Sequence, residues 1–184
     1  MNLPQLKTTR SYITLLQPQQ AILLADYYQR NQDHLAPWEG VREPHFYSEA
    51  ECRTRIEKNL HIFAQGGGAA FAVFSADGSQ MIATCNLSNI VRGVFQACHL
   101  GYSVSAEYQG QGLMREALRA VIGYAFDELQ LHRIMANYMP HNLRSEGLLQ
   151  SLGFEREGYA KAYLKIAGQW QDHVLTALIN PAQC

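Results

Sequence analysis

The chain has 184 residues, 47% hydrophobic and 17% charged, with fifteen basic against sixteen acidic side chains for a formal net charge of −1. That length buries roughly 70% of the unfolded surface and requires no disulfide or metal staple, while ten Tyr, seven Phe and two Trp exclude a disordered chain. No run of about 20 apolar residues is present to span a membrane, and the near-neutral charge excludes broad nonspecific nucleic-acid binding as the main activity. Cys52, Cys85, Cys98 and Cys184 are scattered without zinc-ligand spacing, so they read as reduced thiols and no metal site is expected. The first ten residues carry no export signal, and a cytoplasmic location is expected.

Residues 10–16 alternate and are rich in Tyr, Ile and Thr, which predicts a first strand. Pro18 stands where a helix starts, and Ile22, Leu23, Ala25 and Tyr27 carry it onward. Two prolines and a glycine break residues 34–47 into an aromatic, charged loop. Ser48 followed by Glu51 predicts a capped helix through about residue 65. Strands follow over 70–75 and 81–87, joined at Asp77-Gly78 by a hairpin turn, and another over 95–104. Leu113, Ala117, Val121, Ala125 and Leu129 recur every four residues and predict an amphipathic helix. Residues 133–138 read as a strand, 142–152 as a helix stopped by Gly153, and 159–166 with 173–179 as a final hairpin about Ala167-Gly168. The order β-α-α-β-β-β-α-β-α-β-β describes one mixed α/β domain over residues 1–184.

The sharpest feature is a strand, a glycine-rich turn and a helix: Tyr102-Ser103-Val104, then Gln109-Gly110-Gln111-Gly112-Leu113-Met114. Glycines let a backbone approach a ligand closely, and the free N–H groups and positive end of the following helix attract phosphate. Many such turns carry glycine for geometry alone, and that plainer reading stands beside the ligand reading. A dinucleotide fingerprint is excluded because Arg115 occupies the place of its third glycine, and no Gly-Lys-Ser/Thr triplet exists for a P-loop. A second pattern follows, Asn142-Leu143-Arg144-Ser145 with Leu152-Gly153-Phe154-Glu155-Arg156-Glu157-Gly158 after it. As plain structure, Asn142 caps a helix and Ser145 lies in its first turn.

Together the two patterns resemble the signatures of the GNAT acyltransferases, Q/R-x-x-G-x-G/A and N-x-x-S…L-G-F-x-x-E-G, with Met114 departing from the last position of the first. Residues 36–39, 86–93, 132–142, 158–161 and 168–178 further resemble the RimJ/RimL branch of protein N-terminal acetyltransferases, its alanine-specific member in particular, so the similarity runs from about residue 10 to 180. The resemblance implies a GNAT acyltransferase fold, α/β (α+β mixed), with a mostly antiparallel mixed sheet of about seven strands and about four helices. It implies acetyl-CoA as co-substrate and no metal. Tyr102, Ser103, Val104, Gln109, Gly110, Gln111, Gly112, Leu113, Met114, Asn142 and Ser145 would bind the coenzyme. The implied reaction is direct attack, without a covalent enzyme intermediate, by the N-terminal alanine amine of the fifth small-subunit ribosomal protein. The partners implied are that N-terminus and the assembling ribosomal subunit, with no sequence-specific nucleic-acid or membrane binding, and a monomer or dimer.

In that chemistry a neutral amine attacks the thioester, an N–H donor stabilises the oxyanion, and the thiolate must gain a proton. The family resemblance puts the oxyanion donor on the backbone at 102–104. Many members protonate the thiolate with a tyrosine seven residues after the motif asparagine; Leu149 stands there, which leaves Ser145 as the nearest proton donor, or else a hydroxyl that only bonds the coenzyme. Some carry a glutamate five residues before that asparagine, where Asn137 stands. Glu39, beside Trp38, is the candidate for holding the acceptor ammonium or taking its proton through water, against the plainer reading of a solvated loop carboxylate. Asn86, Ser88, Asn89 and Arg92 are candidates for binding the acceptor's backbone, or a surface loop. His141 and His173 each read as proton relay or structural histidine, and Tyr159, Tyr163 and Trp170 as hairpin packing or a wall of the acceptor site. Two alternatives belong beside this function: acetylation of a small amine (polyamine, amino acid or drug), and a ribosome-assembly factor whose acetylation is incidental.

Overall fold

In the computed structural model, which describes residues 3–183, the strand-forming segments gather into one eight-stranded sheet. The strands are β1 (Gln5–Lys7), β2 (Ser11–Leu15), β3 (Ala69–Ser75), β4 (Met81–Val91), β5 (Ala97–Val104), β6 (Arg133–Tyr138), β7 (Glu155–Ile166) and β8 (Gln169–Ile179), in the spatial order β1-β2-β3-β4-β5-β6-β8-β7. The helices are α1 (Ala21–Arg30), α2 (Gln32–Leu35), α3 (Glu49–Ala64), α4 (Leu113–Asp127) and α5 (Leu143–Ser151). The predicted sheet of about seven strands has eight because β1, three residues long, is too short to carry an alternating pattern. The helices are five rather than about four because the chain makes one further turn, α2, after Asn31.

Local chemistry explains most boundaries. Ser48 caps α3 by accepting the Glu51 N–H at 3.2 Å. The β3–β4 turn is tied by Asp77, whose carboxylate accepts the hydroxyls of Ser75 (2.6 Å) and Ser79 (2.8 Å); these bonds hold its pKa down at about 2. The four-residue stripe of α4 is its buried face, and eight apolar residues from Leu113 to Phe126 pack from it onto the sheet. Each large one contributes about 1.5–3 kcal/mol by leaving water, which anchors α4 and the turn that precedes it. On the opposite face α1 and α3 close a second core around Tyr27, Cys52, Ile56 and Phe74. Cys52, Cys85 and Cys98 are buried free thiols, and Cys184 lies outside the described residues.

Every neighbouring pair of strands is antiparallel except β5–β6. That parallel pair holds register only at Ala97↔Arg133, Cys98↔Ile134 and His99↔Met135. Past His99 the two strands part, although β5 continues to Val104 and β6 to Tyr138. The opening between residues 100–104 and 136–138 leaves backbone N–H and C=O groups without ladder partners, which is where a ligand can bond to them.

Candidate active site

The parting strands open a cleft of about 300 Å³ lined by Gly101, Tyr102, Ser103 and Val104 from β5, Asn137 and Tyr138 from β6, and Asn142 and Ser145 from α5. Its other end is walled by Trp38 and Glu39 and by Leu164, Ile166 and His173 of the β7–β8 hairpin. The cleft has two sides. Leu100, Tyr138 and Val174 belong to the core under α4, so Tyr102 and Val104 lie on the α4 side, and Ser145 reaches the cleft from α5. Strand alternation then turns Ser103, Asn137 and His173 toward the side of α1 and α3.

The glycine turn lies on the α4 side. Gly110 and Gly112 have φ of +71° and +74°, a region that side chains with a Cβ avoid. Gly112 is the N-cap of α4 and offers no side chain, so the first N–H groups of α4 are uncapped. Arg10 clamps this turn: its backbone N–H and its Nε each donate to the Glu116 carboxylate at 2.8 Å, and Nη1 donates to the Gln111 carbonyl at 2.9 Å. The Thr8 hydroxyl and then Arg10 hold the Glu116 pKa at about 2. Leu113 and Met114 are buried in the core, so the bulk of Met114 goes beneath α4 and away from the N–H cradle. A pyrophosphate fits such uncapped N–H groups at a helix start.

Asn142 caps α5 through the Ser145 N–H at 3.1 Å, and the Ser145 and Tyr102 hydroxyls share a hydrogen bond of 2.6 Å across the cleft. Burial raises the Tyr102 pKa to about 12, so its phenol keeps its proton. Leu149 is 1% exposed and lies in the core, so that position points no group at the cleft. Arg144 donates to the Gln109 side-chain oxygen and thereby joins the α5 arm to the glycine turn. The Gln109 amide in turn lies 3.1 Å from Nε2 of His34, which is 3.2 Å from the Val104 carbonyl.

At the end away from the glycine turn the Trp38 ring lies 5.7 Å from the ring of His141, and the Glu39 carbonyl accepts the Ala167 N–H at 2.8 Å, tying the loop to the hairpin turn. The Glu39 side chain is 22% exposed and its nearest cation, Arg42, is at 3.4 Å. Tyr28 is raised to about 12 first by burial and then by the charge of Glu39. Tyr163 accepts from the Asn137 amide at 3.3 Å, and its ring lies 5.5 Å from that of His173 in a tilted contact.

The structure thus brings together Trp38, Glu39, Tyr102, Ser103, Val104, Gln109, Asn142 and Ser145 at one cleft, with Gly110, Gln111, Gly112, Leu113 and Met114 forming the turn beside it. It does not bring Asn86, Ser88, Asn89 or Arg92 there. β4 runs on to Val91, past the expected strand end, and carries the first three into a separate cavity between α3 and the sheet. Arg92 is spent at the far end of α4, where it donates to the Leu129 carbonyl. Sequence reasoning missed His34, Tyr138 and Arg144 as cleft residues; Arg144, inside the Asn142–Ser145 motif, was the one with a sequence signal.

A family model for the acetyltransferase (GNAT) domain matches residues 13–155. The chain belongs to the GNAT acetyltransferase family. Enzymes of this family take the acetyl group from acetyl-CoA, so this GNAT domain is an acyltransferase with acetyl-CoA as its donor. The chain is 50% identical over 182 residues to the [ribosomal protein uS5]-alanine N-acetyltransferase of Escherichia coli K12, covering 98% of this chain and 94% of that protein. Among solved structures, the ribosomal-protein-S5-alanine acetyltransferase of Vibrio fischeri superposes with a TM-score of 0.93 at 38% identity, covering 97% of each chain. Mycobacterium smegmatis RimJ, solved in complex with CoA-disulfide, shares the fold with a TM-score of 0.90 at 24% identity over 98% of this chain and 88% of that one. Among the described residues no group of three or more His, Cys, Asp or Glu side chains is placed to hold a metal ion, and no helix is long and apolar enough to cross a membrane.

Proposed function

We propose that this acetyltransferase moves the acetyl group of acetyl-CoA onto the N-terminal alanine amine of small-subunit ribosomal protein uS5, in the cytoplasm where ribosomal subunits are made. The observation that carries the reading is the 50% identity over nearly the whole chain to an enzyme of that name. The cleft is consistent with it. The glycine turn and uncapped α4 N–H groups hold the pyrophosphate, a backbone N–H of residues 102–104 stabilises the oxyanion, and Ser145 gives the thiolate its proton. Glu39, with Trp38 beside it, holds the acceptor ammonium at the opposite end.

Energetics favour an α-amine over a lysine. Making an α-amine with a pKa of about 7.7–8.0 neutral at pH 7 costs about 1 kcal/mol, against about 4.6 kcal/mol for a lysine near 10.4. A cleft whose Asn137 stands where a carboxylate base would be is therefore better matched to the first. The test is thiol release from acetyl-CoA with three acceptors: a short peptide beginning with the target's alanine, spermidine, and an N-terminally blocked peptide with a free lysine. Turnover on the first alone supports the reading. Turnover on spermidine alone makes the protein a small-amine acetyltransferase, and coenzyme binding with no turnover favours a ribosome-assembly role.

A further inference from the structure

We propose that His173 is the base that accepts the proton of the acceptor ammonium, an inference that rests on acetyl transfer to an amine and not on which amine is used. His173 lies on β8, is 4% exposed, and lines the cleft. In the ladder its neighbour Val174 pairs with Tyr138 and Tyr159, and Val174 and Tyr138 face the α4 core. His173 therefore faces the other way, on the side where Glu39 and Asn137 stand and opposite Ser145. Ser145 and His173 thus stand on the two sides of one cleft, the first able to protonate a thiolate and the second to deprotonate an amine.

The ring's tautomer follows from one contact. Nδ1 lies 3.1 Å from the Gln171 carbonyl, which only accepts, so Nδ1 carries the hydrogen and the neutral ring has its lone pair on Nε2. Among the described residues no group hydrogen-bonds Nε2. Tyr163 packs its ring against the imidazole at 5.5 Å, tilted by 56°, and its hydroxyl accepts from the Asn137 amide, so the imidazole is held in place. The charged and titratable groups around it are Glu39 and His34 from the α1–α3 region, Tyr102 from β5, Tyr138 from β6, Arg144 from α5, Tyr163 from β7, and the adjacent Asp172, which the Ala162 N–H and the Tyr159 hydroxyl hold as an anion. Nε2 offers a lone pair that no described group engages, whereas the Glu39 carboxylate already faces the Arg42 guanidinium at 3.4 Å. Glu39 is left to hold the ammonium and to offset the imidazolium charge once formed.

The ammonium gives one proton to Nε2, leaving a neutral amine whose lone pair forms the N–C bond to the thioester carbonyl. Collapse of the oxyanion breaks the C–S bond. The thiolate takes a proton from Ser145, the amide nitrogen returns its second proton to that hydroxyl, and the imidazolium releases the first to water.

The test is His173→Gln, assayed on whichever amine the wild type acetylates, with coenzyme A affinity and thermal stability measured alongside. The expected result is a kcat lower by roughly 10²-fold at pH 7, coenzyme affinity within about twofold of wild type, and a rate that climbs about tenfold per pH unit where wild type is level. A second acceptor, a peptide whose N-terminus is an aminooxy group and so neutral at pH 7, needs no base, and the deficit should shrink on it. His173→Ala should regain rate with added imidazole. A wild-type kcat and pH profile in either variant would overturn the proposal, as would an equal deficit on the aminooxy peptide. Wild-type silence on every amine would overturn both this inference and the function it rests on.

Discussion

Replacing Gly112 tests whether the turn before α4 is a built cradle. Its φ of +74° costs an alanine about 1–2 kcal/mol. No clash adds to this, because the new Cβ would meet only the end of the Arg10 side chain at 3.6 Å, an ordinary contact. Arg10 pins the turn through Gln111 and Glu116, and the buried face of α4 holds the other side. The strain of Gly112→Ala should therefore remain in the folded protein. A Tm lower by roughly 2–8 °C is expected for a chain of this size, with coenzyme A affinity within about threefold of wild type. Gly112→Pro is different in kind, since proline is locked near φ −65° and cannot take the turn's shape. The cradle must then refold while the α4 core persists, and affinity should fall by more than about 30-fold, which corresponds to about 2 kcal/mol. Calorimetric titration with coenzyme A beside thermal denaturation separates the two effects. Wild-type affinity in Gly112→Pro would refute the assignment of this turn as the pyrophosphate site, and an unchanged Tm in Gly112→Ala would refute the pinned left-handed turn.

Other perturbations follow from the same geometry. Ser145→Ala should lower kcat by roughly 10²-fold while coenzyme affinity holds; wild-type turnover would remove Ser145 as the proton donor. Glu116→Gln should change the acid limb of stability. The wild-type carboxyl titrates at about 2, below the usual value near 4.3, so its contribution is present above about pH 4.3 and is lost as pH falls toward 2. The Tm gap between wild type and variant should close over that window, and a gap independent of pH would contradict the Arg10–Glu116 clamp. Leu149→Tyr should place a phenol in the core, not in the cleft, with about 1–3 kcal/mol lost to overpacking and no gain in turnover; a faster enzyme would show that this position faces the thiol after all.

What the sequence showed depended on whether the relevant contacts are local. The four-residue stripe of α4, the Ser48 and Asn142 caps and the Asp77 turn are set within a few residues, and they form where the spacing puts them. The two motifs at 109–114 and 142–145 were legible as a pair, though the Arg144–Gln109 bond that joins them is a contact of the folded chain alone. Asn86, Ser88 and Asn89 line a cavity apart from the cleft, and nothing local says that β4 runs four residues past Leu87, to Val91. His34 and His173 could not be told from structural histidines by spacing. Only the registers of β6, β7 and β8 decide which way His173 faces, and only folding brings His34 to Val104.

The most direct test of the account is to incubate the purified enzyme with acetyl-CoA and intact unacetylated ribosomal protein uS5, then locate the acetyl group by fragmentation mass spectrometry. The account predicts one acetyl group per target chain, on the α-amine of the N-terminal alanine, and none when that alanine is blocked. Acetyl groups on lysine side chains, or an unmodified protein alongside rapid acetylation of spermidine, would contradict it.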